Sequence, residues 1–221
     1  MFEQQQTEQT QARTRPHHAA HAHAHARCNS ELPYATIVIN LKSRPDRLAH
    51  VHRQLALAGM RALRLEAFYG ADAPDDMVAR EWDSTLNSAF DKRTLPARLS
   101  LSDGERGCSA SHAAIWRMLA AMPLDAPPVV VLEDDVVLSD GFARSCAHIA
   151  LAASSRHAPE DRLMLCYLGA DVAEWRDRAP KLRTAAVADG EMVALCEAKY
   201  LWQTSSYLIW PAAARFLVGD M

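Results

Sequence analysis

The feature that most constrains the fold is an apolar run that ends in three consecutive acids. Val129–Leu132 is followed directly by Glu133, Asp134 and Asp135. A short run of β-branched and aliphatic residues is typical of a strand buried on both faces, most often in a parallel sheet. In open α/β sheets, ligands bind at the carboxyl ends of the strands. The run therefore predicts an α/β fold with a charged site at one edge of its sheet.

The three acids themselves predict a cation site. Adjacent carboxylates repel one another unless a cation or hydrogen-bond donors hold them. Because side chains alternate along a strand, we expect Glu133 and Asp135 to face one way and Asp134 the other. Two carboxylates on one side suit Mg²⁺ or Mn²⁺ in a site that also holds a phosphate. The alternative is a solvated acidic turn with no ligand.

A β-α-β unit is predicted at the start of the domain. Tyr34–Leu41 is apolar almost throughout, as in a central strand, and Arg61–Ala67 alternates as a second strand. Between them, Pro45 suits the first turn of a helix and Gly59 its end. The order strand, helix, strand is typical of an α/β fold with a parallel sheet.

The loop after the first strand is basic. Arg44 and Arg47 can present guanidinium groups to a diphosphate, and Asn40 can hydrogen-bond a base or ribose. The alternative is that these arginines solvate the turn or pair with Asp46. There is no glycine-rich phosphate loop at this place, which excludes a Rossmann fingerprint and a Walker loop here.

A capping box predicts the second long helix. Ser102 and Glu105 form the pattern S-x-x-E, and the helix is expected to continue to about Met122. Ser111 and His112 lie inside it. A histidine within a helix is more often a packed or surface residue than a catalyst. Cys108 is expected in the core, because no base is paired with it in the sequence.

The remaining elements are predicted in outline. Residues 68–101 look irregular apart from a short helix over 75–82, and residues 170–191 are polar. The other predicted elements are a helix over 142–154, strands over 163–169, 193–196 and 204–210, and a helix that begins at Pro211.

Composition limits the domain organisation and the partners. Residues 1–32 are rich in Gln, Ala and His, which predicts a disordered tail whose histidines can also bind a transition metal; residues 33–221 form the domain. The net charge of -3 excludes a general nucleic-acid surface. Five widely spaced cysteines without a C-x-x-C pair indicate reduced thiols in the cytoplasm. No apolar run reaches the ~20 residues of a membrane span, and no secretory signal is visible.

Four motifs in this order resemble glycosyltransferase family 25, which contains bacterial lipooligosaccharide galactosyltransferases and animal collagen galactosyltransferases. They cover residues 34 to 218. The motifs are Ile39-Asn40-Leu41 with Arg44-Pro45-Asp46-Arg47, Gly104-Glu105-Arg106-Gly107-Cys108 with Ser111-His112, Val131-Leu132-Glu133-Asp134-Asp135, and Ser205-Ser206-Tyr207-Leu208.

The resemblance implies a single GT-A-like α/β domain with a mainly parallel central sheet flanked by helices. It implies inverting transfer of a hexose from a UDP-sugar, expected to be UDP-galactose, to a hydroxyl of a lipooligosaccharide or other glycan. It also implies a divalent cation, Mn²⁺ or Mg²⁺, held by Glu133 and Asp135. A cytoplasmic protein is expected, with peripheral contact at the inner membrane as an option. The implied donor-binding residues are Asn40, Leu41, Arg44, Arg47, Ser111, His112 and Asp134.

Two departures from the family pattern limit these expectations. Arg106 stands where the family usually has an aliphatic residue, and the typical family chain continues well past the Tyr207 strand. We therefore expect a short acceptor half, so that the chain binds UDP-sugar better than it transfers sugar. No catalytic base can be named, and Asp171 is a candidate only by its position after a strand. The alternatives are a truncated nucleotide-sugar-binding relative without transfer activity and, on a poorer match, a phosphohydrolase that uses residues 133–135.

Overall fold

The structure is a computed structural model that describes residues 32–83, 98–154, 165–172, 181–186, 192–196 and 201–219. Its strands are Ala35–Asn40 (β1), Leu63–Glu66 (β2), Glu81–Asp83 (β3), Arg98–Ser100 (β4), Val129–Glu133 (β5), Leu165–Val172 (β6), Lys181–Ala186 (β7), Met192–Cys196 (β8) and Leu201–Ile209 (β9). Its α-helices are Pro45–Leu57 (α1), Asp103–Ala120 (α2), Phe142–Ser154 (α3) and Pro211–Val218 (α4), and a 3₁₀ turn covers Gly70–Asp72.

A five-stranded sheet with the order β2-β1-β5-β9-β6 forms the centre of the fold. β1 pairs in parallel with both β2 and β5, whereas β9 is antiparallel to both β5 and β6. Four of the strands therefore run in one direction and β9 runs in the other. β3 with β4 and β7 with β8 form two small antiparallel pairs. The predicted α/β fold with a mainly parallel sheet flanked by helices is confirmed, and it is consistent with a GT-A-like domain.

Alternating residues of the central strands fill a core on each face of the sheet. On one face Val38 and Leu132 pack with Val51 of α1 and Ile149 of α3. On the other face the neighbouring residues, among them Val131 and Tyr207, pack with α2 and α4. β1 and β5 are apolar in succession because they are covered on both sides. The sheet thus has two helices on each face, and its carboxyl edge is left for the site.

Most of the predicted elements are found near their expected bounds. The β-α-β unit is confirmed by the parallel pairing of β1 with β2, and α1 ends at a left-handed Gly59 with φ 69°. The capping box is also present, because Ser102 accepts from the Glu105 amide while the Glu105 carboxylate accepts from the Ser102 amide. The predicted tail, apart from Leu32, lies outside the described residues.

The short helix predicted over 75–82 is wrong. The chain there makes one turn, in which Pro74 O accepts from the amides of Met77 and Val78, and then enters β3. The carboxylate of Asp75 pairs with Arg80 and Arg106 instead of facing solvent at a helix start. Long-range pairing of β3 with β4 also competes with the local helical preference.

Candidate active site

A cavity of about 300 Å³ lies at the carboxyl edge of the sheet. Its walls come from the ends of β1 and β5, from the segment after β2, and from the first turns of α2. The lining residues are Ile39, Leu41, Arg47, Ala67, Phe68, Tyr69, Gly70, Asp103, Gly104, Gly107, Cys108, Ser111, His112, Glu133 and Asp134. The lining therefore combines apolar side chains with two carboxylates and a guanidinium.

Two glycines let α2 approach the segment after β2 closely enough to form one wall of this cavity. A Cβ on Gly107 would lie 2.6 Å from Phe68 O, and a Cβ on Gly70 would lie 1.5 Å from Asp103 O. Both obstacles are backbone atoms, which cannot swing aside as a flexible side chain can. The backbone–backbone contact between α2 and residues 68–70 therefore requires glycine at both positions.

Asn40, at the end of β1, connects three parts of the site. It is 1% exposed, and its side-chain amide donates to Asp134 Oδ2 at 2.6 Å and to Arg44 O at 2.9 Å. Its side-chain oxygen accepts from Arg64 Nε at 3.0 Å. Both amide protons are thus used within the protein. In this arrangement Asn40 positions Asp134 and the basic turn, and its predicted contact with a nucleotide stays a prediction.

The two arginines of the basic turn have different surroundings. Arg47 lines the cavity, and its guanidinium lies 3.3 Å from Asp134 Oδ1 and 3.0 Å from Asp135 Oδ2. Arg44 makes two hydrogen bonds to Asp46, the pairing foreseen as the alternative, and does not line the cavity. Arg47 is therefore the arginine of this turn that is placed to meet a ligand in the cavity.

The three acids are divided differently from the alternation expected of a strand. β5 ends at Glu133, so Asp134 and Asp135 lie in the following turn. These two aspartates share Arg47, whereas the Glu133 carboxylate lies against His112 and Thr204. The sequence predicted Glu133 and Asp135 on one face of a strand and Asp134 on the opposite face. This is wrong because the strand ends before the two aspartates. The roles of Glu133 and Asp135 as metal ligands stay predictions.

Ser111 and His112 both line the cavity, yet they differ in what they hold. Ser111 is buried, donates to Gly107 O at 2.7 Å, and accepts from the Phe68 amide at 3.0 Å. Its hydroxyl therefore fixes α2 to the segment after β2. His112 is 3% exposed and therefore packed, and its predicted role in donor binding stays a prediction. Its ring nitrogens lie 2.8 Å from Tyr207 Oη and 3.1 Å from Thr204 Oγ1.

Cys108 is not in the core, which corrects the prediction from the sequence. It is exposed as a residue and lines the cavity, where its thiol is desolvated; this desolvation, together with the Glu133 charge, raises the pKa of Cys108 to about 11. Its sulfur, a His112 nitrogen and a Glu133 oxygen lie within 4.8 Å of one another. These three polar groups are therefore neighbours in the lining of the cavity, and the raised pKa favours the protonated thiol.

Sequence reasoning assigned no role to Thr204 and Trp116, and it quoted Tyr207 only as part of a motif. Trp116 follows His112 by one helical turn, a spacing that could have shown that the two rings are neighbours. Thr204 could not be found by alternation, because the pairing of β9 with β6 shifts register beyond Ser206. Asp171 falls inside β6 and pairs with Trp202, and its catalytic role stays a prediction.

A family model described as "Glycosyltransferase family 25 (LPS biosynthesis protein)" matches residues 34–221. The chain belongs to glycosyltransferase family 25. No curated protein sequence matches it. As a member of this family the protein is a glycosyltransferase of lipopolysaccharide biosynthesis. No helix in the described ranges is long and apolar enough to cross a membrane.

The four motifs of this family 25 chain come together at the cavity. Leu41, His112 and Glu133 belong to the first three motifs and line the cavity. Tyr207 belongs to the fourth motif and contacts His112. Arg106, the departure from the family pattern, is 4% exposed and lies beside the wall formed by Gly70. Its guanidinium donates to Gly70 O, Ala73 O and the Asp75 carboxylate. The buried cation therefore holds the segment after β2 in place.

Proposed function

We propose that this family 25 glycosyltransferase transfers a hexose, with galactose from UDP-galactose as the expected case, to a hydroxyl of a lipopolysaccharide or lipooligosaccharide glycan. The observation that carries the proposal is the cavity at the carboxyl ends of β1 and β5, whose lining combines a guanidinium, carboxylates and apolar side chains. Ligands of open α/β sheets bind at this edge. We also propose that the protein is cytoplasmic and meets its acceptor at the inner membrane.

The two kinds of lining residue suit the two chemical parts of a nucleoside diphosphate. Ile39, Leu41 and Phe68 offer apolar surface to a base ring. Arg47 offers a guanidinium to a phosphate, an interaction that is strong because both groups are charged. A ligand phosphate would then compete with Asp134 and Asp135 for Arg47. Specificity for uridine and for galactose rests on the family resemblance alone.

The charges in the cavity favour a bound cation. A diphosphate next to Glu133 and Asp134 would be repelled unless a cation lay between them. Both oxygens of Asp134 are engaged by Asn40 and Arg47, whereas Glu133 and Asp135 each have one carboxylate oxygen outside the side-chain contacts described. Carboxylate oxygens are the ligands that Mg²⁺ and Mn²⁺ prefer. We therefore assign a hard divalent cation to Glu133 at the cavity, with Asp135 of the adjacent turn as the second carboxylate.

The proposed reaction breaks the bond between the anomeric carbon of the sugar and the UDP oxygen. The acceptor hydroxyl oxygen forms the new bond to that carbon from the opposite face, and its proton passes to a base. A divalent cation, when bound, would neutralise the charge on the departing UDP. Arg47 would contact the diphosphate throughout, and Asn40 would keep Asp134 and the basic turn in place.

A donor and acceptor panel tests the proposal. The purified chain is incubated with Mn²⁺, lipooligosaccharide and, in turn, UDP-, GDP-, CMP- and dTDP-sugars, while nucleotide release and the acceptor mass are measured. We expect UDP-galactose to bind, and UDP to be released slowly and only with the acceptor, as one hexose is added to the glycan. Binding of UDP-galactose without turnover would favour a nucleotide-sugar-binding relative. Neither binding nor turnover with any donor would refute the proposed function.

A further inference from the structure

Five side chains form a continuous series of hydrogen bonds that runs from the core to the cavity. Trp116 Nε1 lies 3.1 Å from Tyr207 Oη, which lies 2.8 Å from His112 Nδ1. His112 Nε2 lies 3.1 Å from Thr204 Oγ1, and Thr204 Oγ1 lies 3.1 Å from Glu133 Oε1. His112 Nε2 also lies 3.4 Å from the same Glu133 oxygen. Tyr207 and His112 are almost completely buried.

The chemistry of the two ends fixes the direction of every bond in the series. An indole N–H can only donate, so Tyr207 Oη accepts from Trp116. An ionised carboxylate can only accept, so Thr204 donates its hydroxyl proton to Glu133. Thr204 must then accept from His112, and His112 Nε2 must carry a proton.

The same argument fixes the state of the other ring nitrogen. If His112 Nδ1 also carried a proton, the buried Tyr207 hydroxyl would face two donors and, among the residues that the structure describes, have no acceptor for its own proton. Burial raises the pKa of Tyr207, so the phenol keeps that proton and can donate it to Nδ1. The arrangement that satisfies all five groups has neutral His112 with its proton on Nε2, and each bond then donates toward Glu133.

We propose that Tyr207, His112 and Thr204 are positioning residues that hold Glu133 in one orientation at the cavity, with His112 as the neutral Nε2–H tautomer. The effect of this on donor binding rests on the proposed function. Two donors converge on one Glu133 oxygen, which leaves the other oxygen for a ligand.

The tautomer is tested by nitrogen NMR on protein labelled with ¹⁵N-histidine, with His112 assigned from a His112→Gln sample. We expect the Nε2–H pattern in the wild-type protein. In Tyr207→Phe, His112 Nδ1 loses its hydrogen-bond donor, so its ¹⁵N chemical shift should move toward that of a free pyridine-type nitrogen. The other histidine signals check that this variant is folded. Tyr167→Phe is the matched control, since Tyr167 lies on β6 with its ring 6.5 Å from that of Tyr207, and it should change nothing at His112. An Nδ1–H pattern in the wild type would overturn the proposal.

The consequence for Glu133 is tested by titration calorimetry with UDP-galactose and Mn²⁺. Thr204→Val keeps the shape of the side chain and removes the hydroxyl, whereas Thr204→Ser keeps the hydroxyl. We expect affinity to fall on the order of tenfold or more in the valine variant, the effect of losing one hydrogen bond to a charged group, and to stay near wild type in the serine variant. Equal affinity in the two variants would overturn the positioning role while leaving the proposed function in place. If the wild type binds no UDP-sugar, the proposed function fails, and the NMR result alone decides the positioning of His112.

Discussion

At the scale of single residues, the site is held by a few polar side chains that each join distant segments. Asn40 and Asp134 are separated by 94 positions in the chain, and they are joined by a buried hydrogen bond of 2.6 Å. Arg47 then brings the neighbouring aspartate into the same cluster. Asn40 and Asp134 satisfy each other's hydrogen-bonding groups. Removing either side chain would leave a buried polar group unpaired, which lowers the free energy of unfolding.

The two arginines of the basic turn give a prediction with an internal control. Arg47→Ala removes the guanidinium in the cavity and should weaken UDP binding by roughly 1–3 kcal/mol, whereas uridine, which lacks phosphate, should be nearly unaffected. Arg44→Ala should have a smaller effect, because Arg44 is paired with Asp46 outside the cavity. Titration calorimetry with both ligands measures the difference. An equal loss for uridine and UDP in Arg47→Ala would mean that this arginine is structural.

The sequence predicted the types of residue at the site better than their contacts. The acids after β5, the basic turn and the histidine of α2 were all identified. The sharing of Arg47 by two aspartates was missed, because it depends on where β5 ends and not on residue type. The role of Thr204 was missed because it follows from an irregular register in β9.

At the scale of elements, α2 is the helix on which the site depends most. Its first turns line the cavity, and its apolar face packs on the sheet through Ile115 and Leu119. The start of the helix is fixed by the capping box at Ser102, which can be recognised from the sequence because both of its residues lie within four positions. Its close approach to residues 68–70 is a tertiary feature that only Gly70 and Gly107 reveal.

Gly107→Ala is expected to disturb that approach. The new methyl group would lie 2.6 Å from Phe68 O, so the helix or the loop must shift, at a cost of about 1–3 kcal/mol in the free energy of unfolding. Gly104→Ala is the matched control on the same helix, since the nearest atom to its Cβ lies 3.9 Å away. This variant should be neutral or up to about 1 kcal/mol more stable, because alanine favours a helix. Urea unfolding of both variants measures the contrast, and an equal effect would contradict the close packing.

The capping box predicts a pH dependence of stability. Hydrogen bonds from the Ser102 amide and hydroxyl lower the pKa of Glu105 in the folded state. A lowered carboxyl pKa contributes stability above the ordinary glutamate pKa, and the contribution is lost as the pH falls through the folded value. Glu105→Gln should therefore unfold at lower urea than wild type at pH 7, and the gap should close in acid. A gap that is constant with pH would show that the charge of Glu105 plays no part.

At the scale of the whole molecule, the sequence predicted the layers but not the full pairing of the strands. Apolar runs at 35–40 and 129–133 gave the two central strands, because such runs occur where both faces are covered. The insertion of antiparallel β9 between β5 and β6 was not predicted, since pairs such as Val131 with Tyr207 join residues that are far apart in the chain. β7 was likewise missed in a stretch judged only polar, whereas its antiparallel partner β8 was predicted over 193–196.

The central claim is that the carboxylates at the end of β5 bind a nucleotide-sugar donor together with a divalent cation. Titration calorimetry of UDP-galactose with Mn²⁺, and again with a chelator, tests it most directly in wild type, Glu133→Gln and Asp135→Asn. Asp140→Asn, which removes an exposed acid that takes no part in the cluster of Arg47, Asp134 and Asp135, is the control. We predict binding that requires Mn²⁺, at least about tenfold weaker binding in the two site variants for a lost charged ligand, and no change in the control. Affinity that is the same in chelator and in all variants would contradict the account.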